Sequence, residues 1–267
     1  METIKPKKII DFKPKKVIKV EPEKTEATEL PQQENYYQAV GIVSGRVILD
    51  KEQGYQLDVA GKQFQLFFKK RDVSACVKFD VVNRIIVYPR FIHFPKRDEA
   101  AKLSFQVLAI ENERKEGLFE QLKDNEFLLR GIWQFIPVCQ TPVITILQNY
   151  NEDFKKRIKK LDDVRKCKLL KAIHAPLFWR DAIVNPFRYR KDSESQPDKY
   201  FVSIKARLDF NREAFMFDSL LGLPTTELPE GYRLSKKMKA EVLKAKKQST
   251  TVNFQKPTTQ DIKLRSQ

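Results

Sequence analysis

The 267-residue chain is poor in the residues that most site chemistries need. Its three cysteines, Cys76, Cys139 and Cys167, are odd in number and far apart, which argues against a disulfide framework and against cysteine-type zinc spacing. A zinc site or a histidine-centred triad would need most of the histidine available, His93 and His174, so both are read as ordinary residues. Neither a glycine-rich phosphate loop nor a dinucleotide-binding glycine fingerprint occurs, which removes the usual footholds of nucleotide hydrolysis and dinucleotide redox chemistry. No apolar run approaches the ~20 residues that cross a bilayer, and the opening Met-Glu-Thr-Ile-Lys-Pro-Lys-Lys lacks the apolar stretch of a secretory signal. The expectation is a soluble, cytoplasmic protein with reduced thiols, no cofactor, no metal and no membrane insertion. With 41% hydrophobic residues and 19 Phe, it has material for a packed core.

What the chain has in excess is positive charge: 51 Lys and Arg against 35 Asp and Glu, a formal net charge of +16. That charge is uneven. Residues 1–20 hold 7 Lys and 2 acids, whereas 21–35 hold 1 Lys and 5 acids. Lys5-Pro6-Lys7-Lys8-Ile9-Ile10 recurs as Lys13-Pro14-Lys15-Lys16-Val17-Ile18, where proline removes a backbone donor and charge opposes collapse, so a flexible arm is expected over 1–35. Residues 233–267 carry 10 bases and 2 acids with almost no aromatic residue, and are read as a disordered basic tail. Between these ends, residues 150–191 hold 13 bases and 5 acids, enough to account for the positive excess of the folded part. Such a surface is either ordinary solvation or an attraction to phosphate through counterion release.

Residues 36–111 read as strands and turns. Tyr36 to Leu49 is β-branched and aromatic, and Asp50-Lys51-Glu52-Gln53-Gly54 supplies turn chemistry. Tyr55, Leu57 and Val59 alternate, Ala60-Gly61 turns the chain, and Phe64, Leu66 and Phe68 alternate on the way back, predicting a hairpin. Val77 to Val87 and Leu103 to Ile110 complete five strands. Five short strands opened by Val40-Gly41-Ile42-Val43-Ser44-Gly45-Arg46-Val47 resemble the OB-fold, a partly open five-stranded barrel. That resemblance implies that the loops joining strands 1 to 2 and 4 to 5, here 50–54 and 88–102, flank the ligand face for oligonucleotides or oligosaccharides. Within the second loop, Tyr88-Pro89-Arg90-Phe91-Ile92-His93-Phe94-Pro95-Lys96-Arg97 interleaves rings with bases, a pattern suited to stacking and backbone attraction, though the same rings could be the loop's own core contacts.

A helical linker is expected over 112–125 and a second α+β unit over 126–232. Leu129-Arg130-Gly131-Ile132-Trp133 loosely echoes Val40-Gly41-Ile42-Val43, without enough identity to define a repeat. Phe154, Ile158, Leu161, Val164, Leu170 and Ile173 recur at three- and four-residue steps after a candidate N-cap at Asn151, predicting one amphipathic helix over 152–174. Its wet side would carry Lys155, Lys156, Lys159, Lys160, Arg165 and Lys166. Leu177-Phe178-Trp179-Arg180 and Pro186-Phe187-Arg188-Tyr189-Arg190-Lys191 repeat the mixture of rings and cations, with arginine favoured where stacking and forked phosphate contact are both useful. Tyr200 to Phe210 reads as a strand and Asn211 to Leu221 as a short helix.

The expected fold class is therefore α+β: a small five-stranded OB-like β-barrel followed by a mixed strand and helix unit, with flexible basic ends. The expected function is non-catalytic binding of RNA or single-stranded DNA, through Arg90, Phe91, Phe94, Lys96 and Arg97, the cations of the 155–166 helix, and Trp179, Arg180, Arg188, Tyr189 and Arg190. It requires the cations of 150–191 to form one continuous surface beside exposed rings. The alternative is an assembly subunit whose basic tails dock on an acidic or ribonucleoprotein surface of a larger complex. A metal-dependent nuclease finds little footing: Glu111, Glu113 and Lys115 lack a partner aspartate, and Asp162 and Asp163 would point about a hundred degrees apart on a helix.

Overall fold

The alternation of Tyr55, Leu57 and Val59 with Phe64, Leu66 and Phe68 produces the structure that a period of two dictates. In the computed structural model, β2 (Gly54–Val59) and β3 (Lys62–Phe68) form an antiparallel hairpin turned by Ala60 and Gly61, both at positive φ, with Leu57 opposite Phe64. The structure describes residues 35–68, 76–79, 81–92, 102–111, 117–149, 151–232, 235, 238 and 240–242. The arm 1–34 and nearly all of the tail 233–267 lie outside the described residues.

β1 (Gln38–Asp50) pairs with β2 on one side and β4 (Val82–Ile92) on the other, β4 pairs with β5 (Lys102–Ile110), and β5 runs parallel to β3. These pairings close a five-stranded barrel, consistent with an OB-like fold. β4 starts later and runs further than its apolar run implied. Because Arg90, Phe91 and Ile92 find partners in Ser104, Leu103 and Lys102, residues 88–92 are strand rather than loop.

α1 (Leu118–Gln121) leads into β6 (Glu126–Phe135), followed by β7 (Pro142–Ile146), β8 (Gln148–Asn149), α2 (Glu152–Lys159), α3 (Asp163–Leu169), β9 (Ile173–Phe178), β10 (Tyr200–Asp209), β11 (Ala214–Leu220) and β12 (Gly231–Tyr232). β6 pairs with β7 and β10, β7 with β9, and β10 with β11, while β9 meets β11 in parallel at Leu177–Phe215 and Phe178–Met216. Five strands again return on themselves, in the order of the first barrel. The registers agree. Leu66 lies opposite Phe105 as Leu177 lies opposite Phe215, and both β4–β5 and β10–β11 shift register at the same place, between Ile86 and Val87 and between Lys205 and Ala206.

A glycine in each first strand occupies the same setting. A Cβ on Gly45 would come 2.6 Å from the carbonyl oxygen of Asp58 and 2.9 Å from Leu57; on Gly131 it would come 2.5 Å from that of Thr145 and 2.7 Å from Ile144. Those contacts occupy matching rungs, since Val47 faces Leu57 and Trp133 faces Ile144. The echo visible in the sequence is therefore a true correspondence displaced by four residues: Gly131 matches Gly45, not Gly41.

The two rings join where β1 and β6 pair, Gln38 to Gly41 against Arg130 to Phe127. One buried cluster runs through both, with Phe215 against Phe91 and Phe127, and Phe210 against Phe64 and Phe105. Among the described residues the named helices are short, so the molecule is mostly β and the expected α+β class holds only in part. The helix expected over 152–174 is two. Lys160 ends α2, the Asp162 carboxylate caps α3 by accepting from the Arg165 backbone N–H, and Ile173 already belongs to β9. The helix expected over 211–221 is β11. There Asp209 closes a tight turn by accepting from the N–H groups of Asn211 and Arg212, and pairing with β10 overrides local helix propensity.

Candidate nucleic-acid interface

In each ring the end of the first strand, the start of the second and the end of the third share one end of the barrel. In the first ring this end is turned by Asp50, whose carboxylate accepts from the N–H groups of Gln53 and Glu52, each at 2.7 Å. These two donors hold its carboxyl below the usual range. Along β3, Gln63, Gln65 and Phe67 point outward, opposite in sense to the buried Phe64 and Leu66. Phe67 is 36% exposed, and the exposed Arg90 of β4 lays its guanidinium 5.0 Å from the ring centre. Burial pushes the neighbouring Tyr88 phenol up to about 12, with Arg90 pulling the other way, so Arg90 faces a neutral side chain at neutral pH.

In the second ring the corresponding turn contains a single 3-10 turn at Pro137–Cys139. The connection from β9 to β10 folds back over it. Phe187 donates its N–H to the Trp133 carbonyl at 3.1 Å, and its own carbonyl accepts from Phe135 N–H at 2.9 Å. Phe187 itself is buried, and this ladder fixes the next three residues at the barrel's end. Arg188 stacks 4.2 Å from the centre of the half-buried Phe135 ring, and Tyr189 is 72% exposed. Gln196 ties the backbone of Arg190, accepting from its N–H at 3.0 Å and donating to its carbonyl at 2.6 Å. At the end of β9, Phe178 is 39% exposed with the Arg212 guanidinium 5.7 Å from its centre, and Arg212 also meets Asp209 at 3.6 Å.

The expected site residues are thus separated. Arg188, Tyr189 and Arg190 stand together at the turn end of the second ring, and Arg90 stands on the outer face of the first. Phe91 is only 4% exposed and packs against Phe215, so it is corrected from a stacking ring to a core residue. Trp179 is half-buried, stacked flat on Phe217 at 4.5 Å and tilted against Trp133, which takes one of its faces; Arg180 beside it is exposed. Phe94, Lys96 and Arg97 lie outside the described residues.

The lysine helices do not join this surface. They leave β7 at Ile146 and return to β9 at Ile173, the opposite end of those strands from Phe135 and Phe178. Their cations also face their own acids: Lys155 meets Glu152 at 3.5 Å, Lys156 meets Asp153 at 4.0 Å, Arg165 meets Asp162 at 3.2 Å and Lys166 meets Asp163 at 3.2 Å. Lys159 and Lys160 are exposed beside them. Exposed pairs at this spacing are weak, yet they cancel local charge. The expected continuous cationic surface over 150–191 is therefore corrected to two separate groups.

Reasoning from sequence missed Phe67, Phe135, Phe178 and Arg212. The outward phase of Phe67 was available from the hairpin's alternation, because a residue between Leu66 and Phe68 must face away from both. The carboxylates considered for metal chemistry have structural partners: Glu111 meets Arg84 at 2.8 Å, and Asp162 caps α3. Among the described residues, no group of three or more His, Cys, Asp or Glu side chains is placed to hold a metal ion, and no helix is long and apolar enough to cross a membrane. No protein-family model, curated protein or solved structure matches the chain.

Proposed function

We propose that the protein is a non-catalytic OB-fold binder of single-stranded nucleic acid, RNA or DNA. The single cationic surface expected over 150–191 is not formed, which weakens this reading against the assembly-subunit alternative, so it rests instead on the partly exposed rings layered with guanidinium groups, Phe67 with Arg90, Phe135 with Arg188 and Phe178 with Arg212, at the ends and outer strands where such barrels hold oligonucleotides. A base stacks on a ring or on the flat of a guanidinium, and the same guanidinium forks onto phosphate. Exposed Tyr189 extends the stack, and Arg180 and Arg190 add charge. The lysines of α2 and α3 contribute only long-range attraction.

Fluorescence anisotropy with a short labelled oligonucleotide at two salt concentrations tests this. Binding that weakens as salt rises, and that falls about 5- to 50-fold in Arg188→Ala, is expected from loss of stacking plus a phosphate contact. Absence of binding at low salt overturns it.

A second reading is supported by apolar side chains at the same turn end of the first ring. Leu49, Phe79, Val81 and Val82 are exposed at the first ring's end, with Leu49 opposite Tyr55 and Tyr55 stacked over Phe79. Apolar clusters of this kind also serve protein docking, as an assembly subunit of a larger complex would require. A pull-down repeated after nuclease digestion separates the two, because a protein partner survives the digestion and a nucleic-acid tether does not.

A further inference from the structure

We propose that the start of β4, at Val82, is an open sheet edge that takes an extended, acidic segment of a partner protein as an added strand. This rests on the assembly reading above and names the site and the form of partner it requires. The second ring shows what such an edge accepts. The register that sets Gly45 against Gly131 sets Arg46 against Ile132, and therefore Val82, opposite Arg46, against Phe201, opposite Ile132. At first the outer edges of the two strands run alike. The Arg84 carbonyl accepts from the N–H of Glu111 at 2.9 Å, and the matching Ser203 carbonyl accepts from that of Leu221, also at 2.9 Å.

Two residues nearer the start of the strand, the rings part. In the second, the chain continues past Leu221 along the same edge, and Thr225 pairs with Phe201 in both directions. Its carbonyl accepts from the Phe201 N–H at 2.7 Å, and its N–H donates to the Phe201 carbonyl at 3.0 Å. Phe201 is fully buried, with its ring edge-on to Tyr37 at 5.6 Å. In the first ring, among the described residues, no backbone group pairs with Val82 on that edge, and its side chain is 68% exposed. Backbone groups along a strand alternate in direction, so the N–H and carbonyl of Val82 point the same way as the Arg84 carbonyl, away from β1. An unaccompanied pair of this kind is a template for an incoming strand.

The side chains around this edge differ between the rings in the same sense. Exposed Leu49 matches Phe135, whose ring lies under the Arg188 guanidinium. Phe79, which bridges Val47, is 46% exposed, whereas Phe187, which bridges Gln134 one rung away, is buried beneath the Lys199 ammonium at 4.7 Å. The second ring thus covers with its own chain the apolar positions that the first leaves open. The open ridge is also held in place from behind. The buried Asn83 side chain donates to the carbonyls of Lys78 and Val81 at 2.6 and 3.0 Å and accepts from the Lys78 N–H at 3.1 Å, which fixes the backbone on both sides of Phe79 without a partner's help. Leu49, Val81 and Val82 are aliphatic and offer no stacking face, so this surface suits a peptide rather than bases. Exposed Arg46, directly across from Val82, and exposed Lys78, beside Phe79, favour a strand that carries Asp or Glu between its apolar residues.

The experiment uses the full chain, treated with nuclease, and a phage-displayed library of random peptides about 12 residues long, enough to lay one strand along the edge. Selected peptides are expected to alternate branched apolar with acidic residues, and a bound peptide to slow hydrogen exchange at the Val82 N–H. Val82→Pro removes that donor without touching the pairing to β1, and Leu49→Asp places a charge on the apolar surface. Each is expected to weaken the selected peptides about 10-fold or more while leaving the thermal midpoint within a few degrees of the parent, and Leu49→Asp carries the test alone should proline unfold the barrel. No enriched sequence, or peptides that bind a folded variant as tightly as the parent, overturns the added strand. A parent dimer in sedimentation that the variants disperse assigns the edge to a second copy and overturns the partner, and a loss of oligonucleotide affinity in the same variants assigns it to nucleic acid with the same consequence. A nuclease-resistant partner retained equally by the variants overturns the site while leaving the assembly reading standing; absence of both such a partner and a selected peptide overturns the two together.

Discussion

In the first ring the second strand turns into the third through Ala60 and Gly61 alone; in the second ring the same step takes residues 147–172 and carries β8 and both lysine-bearing helices. At the other end the difference is reversed in kind. Both rings keep a tight first turn, an outward phenylalanine at the end of the third strand and a guanidinium above it. Interior positions also correspond, with Gly45 matching Gly131, Leu66 matching Leu177 and Phe105 matching Phe215. The comparison separates what the barrel needs from what has been added to it. A charged insertion at one end leaves the register untouched, so its lysines are an accessory to the architecture and the outward rings are part of its repeat.

If the rings share one core, removing a matched phenylalanine should damage both together. Phe105→Ala and Phe215→Ala are each expected to cost about 3–5 kcal/mol, since both side chains are fully buried and each touches a ring contributed by the other barrel. Denaturant unfolding followed by tryptophan fluorescence and by circular dichroism should give coincident single transitions. Because Trp133 and Trp179 both sit in the second ring, a fluorescence transition unaffected by Phe105→Ala would break the comparison by showing two independent cores.

The matched glycines sharpen it further. Gly45→Ala and Gly131→Ala both force a methyl group against a carbonyl oxygen on the neighbouring second strand, and are expected to cost about 2–3 kcal/mol each, equal within about 1 kcal/mol. Midpoints in urea measure this. A large cost at one position and none at the other would show that the close approach is required in only one ring.

Arg84 offers the opposite kind of test, because its counterpart in the second ring is Ser203. Its guanidinium meets Glu111 at 2.8 Å and Asp124 at 2.7 Å, and donates to the carbonyls of Phe119 and Leu122 at 3.0 and 2.6 Å. It thereby fastens α1 and the connection to β6 onto the first barrel, above the small cluster of Val40, Ile42, Ile86, Phe119 and Leu122. Arg84→Ala is expected to cost about 1–2 kcal/mol, less than full burial would imply because the side chain is partly exposed. Hydrogen exchange should rise over residues 117–124 and not over the second ring.

These correspondences explain what could be read in advance. The β2–β3 hairpin was legible because Leu57, Phe64 and Leu66 alternate without interruption, and the run Leu103 to Ile110 marked β5. The second ring was not, because long connections separate its strands and because Leu170 and Ile173 extend the helical spacing of 154–164 into what becomes β9. Glycine alone gave an ambiguous alignment, since Gly41 and Gly45 are both available to match Gly131; only the contacts of the missing Cβ decide between them. The candidate site was half legible. Arg188, Tyr189 and Arg190 stood out by composition, whereas Phe67 was overlooked because three neighbouring rings and leucines already defined a core face. Arg212 sat in a segment whose local preference is helical, and only pairing with β10 turns it toward Phe178.

The smallest expected effect concerns the entrance to the second ring, where Glu126 is buried and meets the Lys205 ammonium at 2.8 Å. Burial alone would raise its carboxyl, but the hydrogen bond from Lys205 and the Lys123 backbone N–H outweigh it and hold the group below the ordinary glutamate range. The folded state therefore binds this proton less readily than the unfolded chain does. Its contribution is present in full above the unfolded value, near pH 4.3, and is lost as pH falls through the lower folded value. The first ring has no counterpart, since the residue of β1 that matches Glu126 when Gly45 is set against Gly131 is the uncharged Val40, and Ile86 stands where Lys205 does. Glu126→Gln should flatten this part of the acid limb, measured as the urea midpoint between pH 3 and 6, while Asp50→Asn at the first ring's exposed turn should leave a smaller change of the same sign. An acid limb unchanged by Glu126→Gln would mean that the Lys205 pair does not distinguish the two first strands after all.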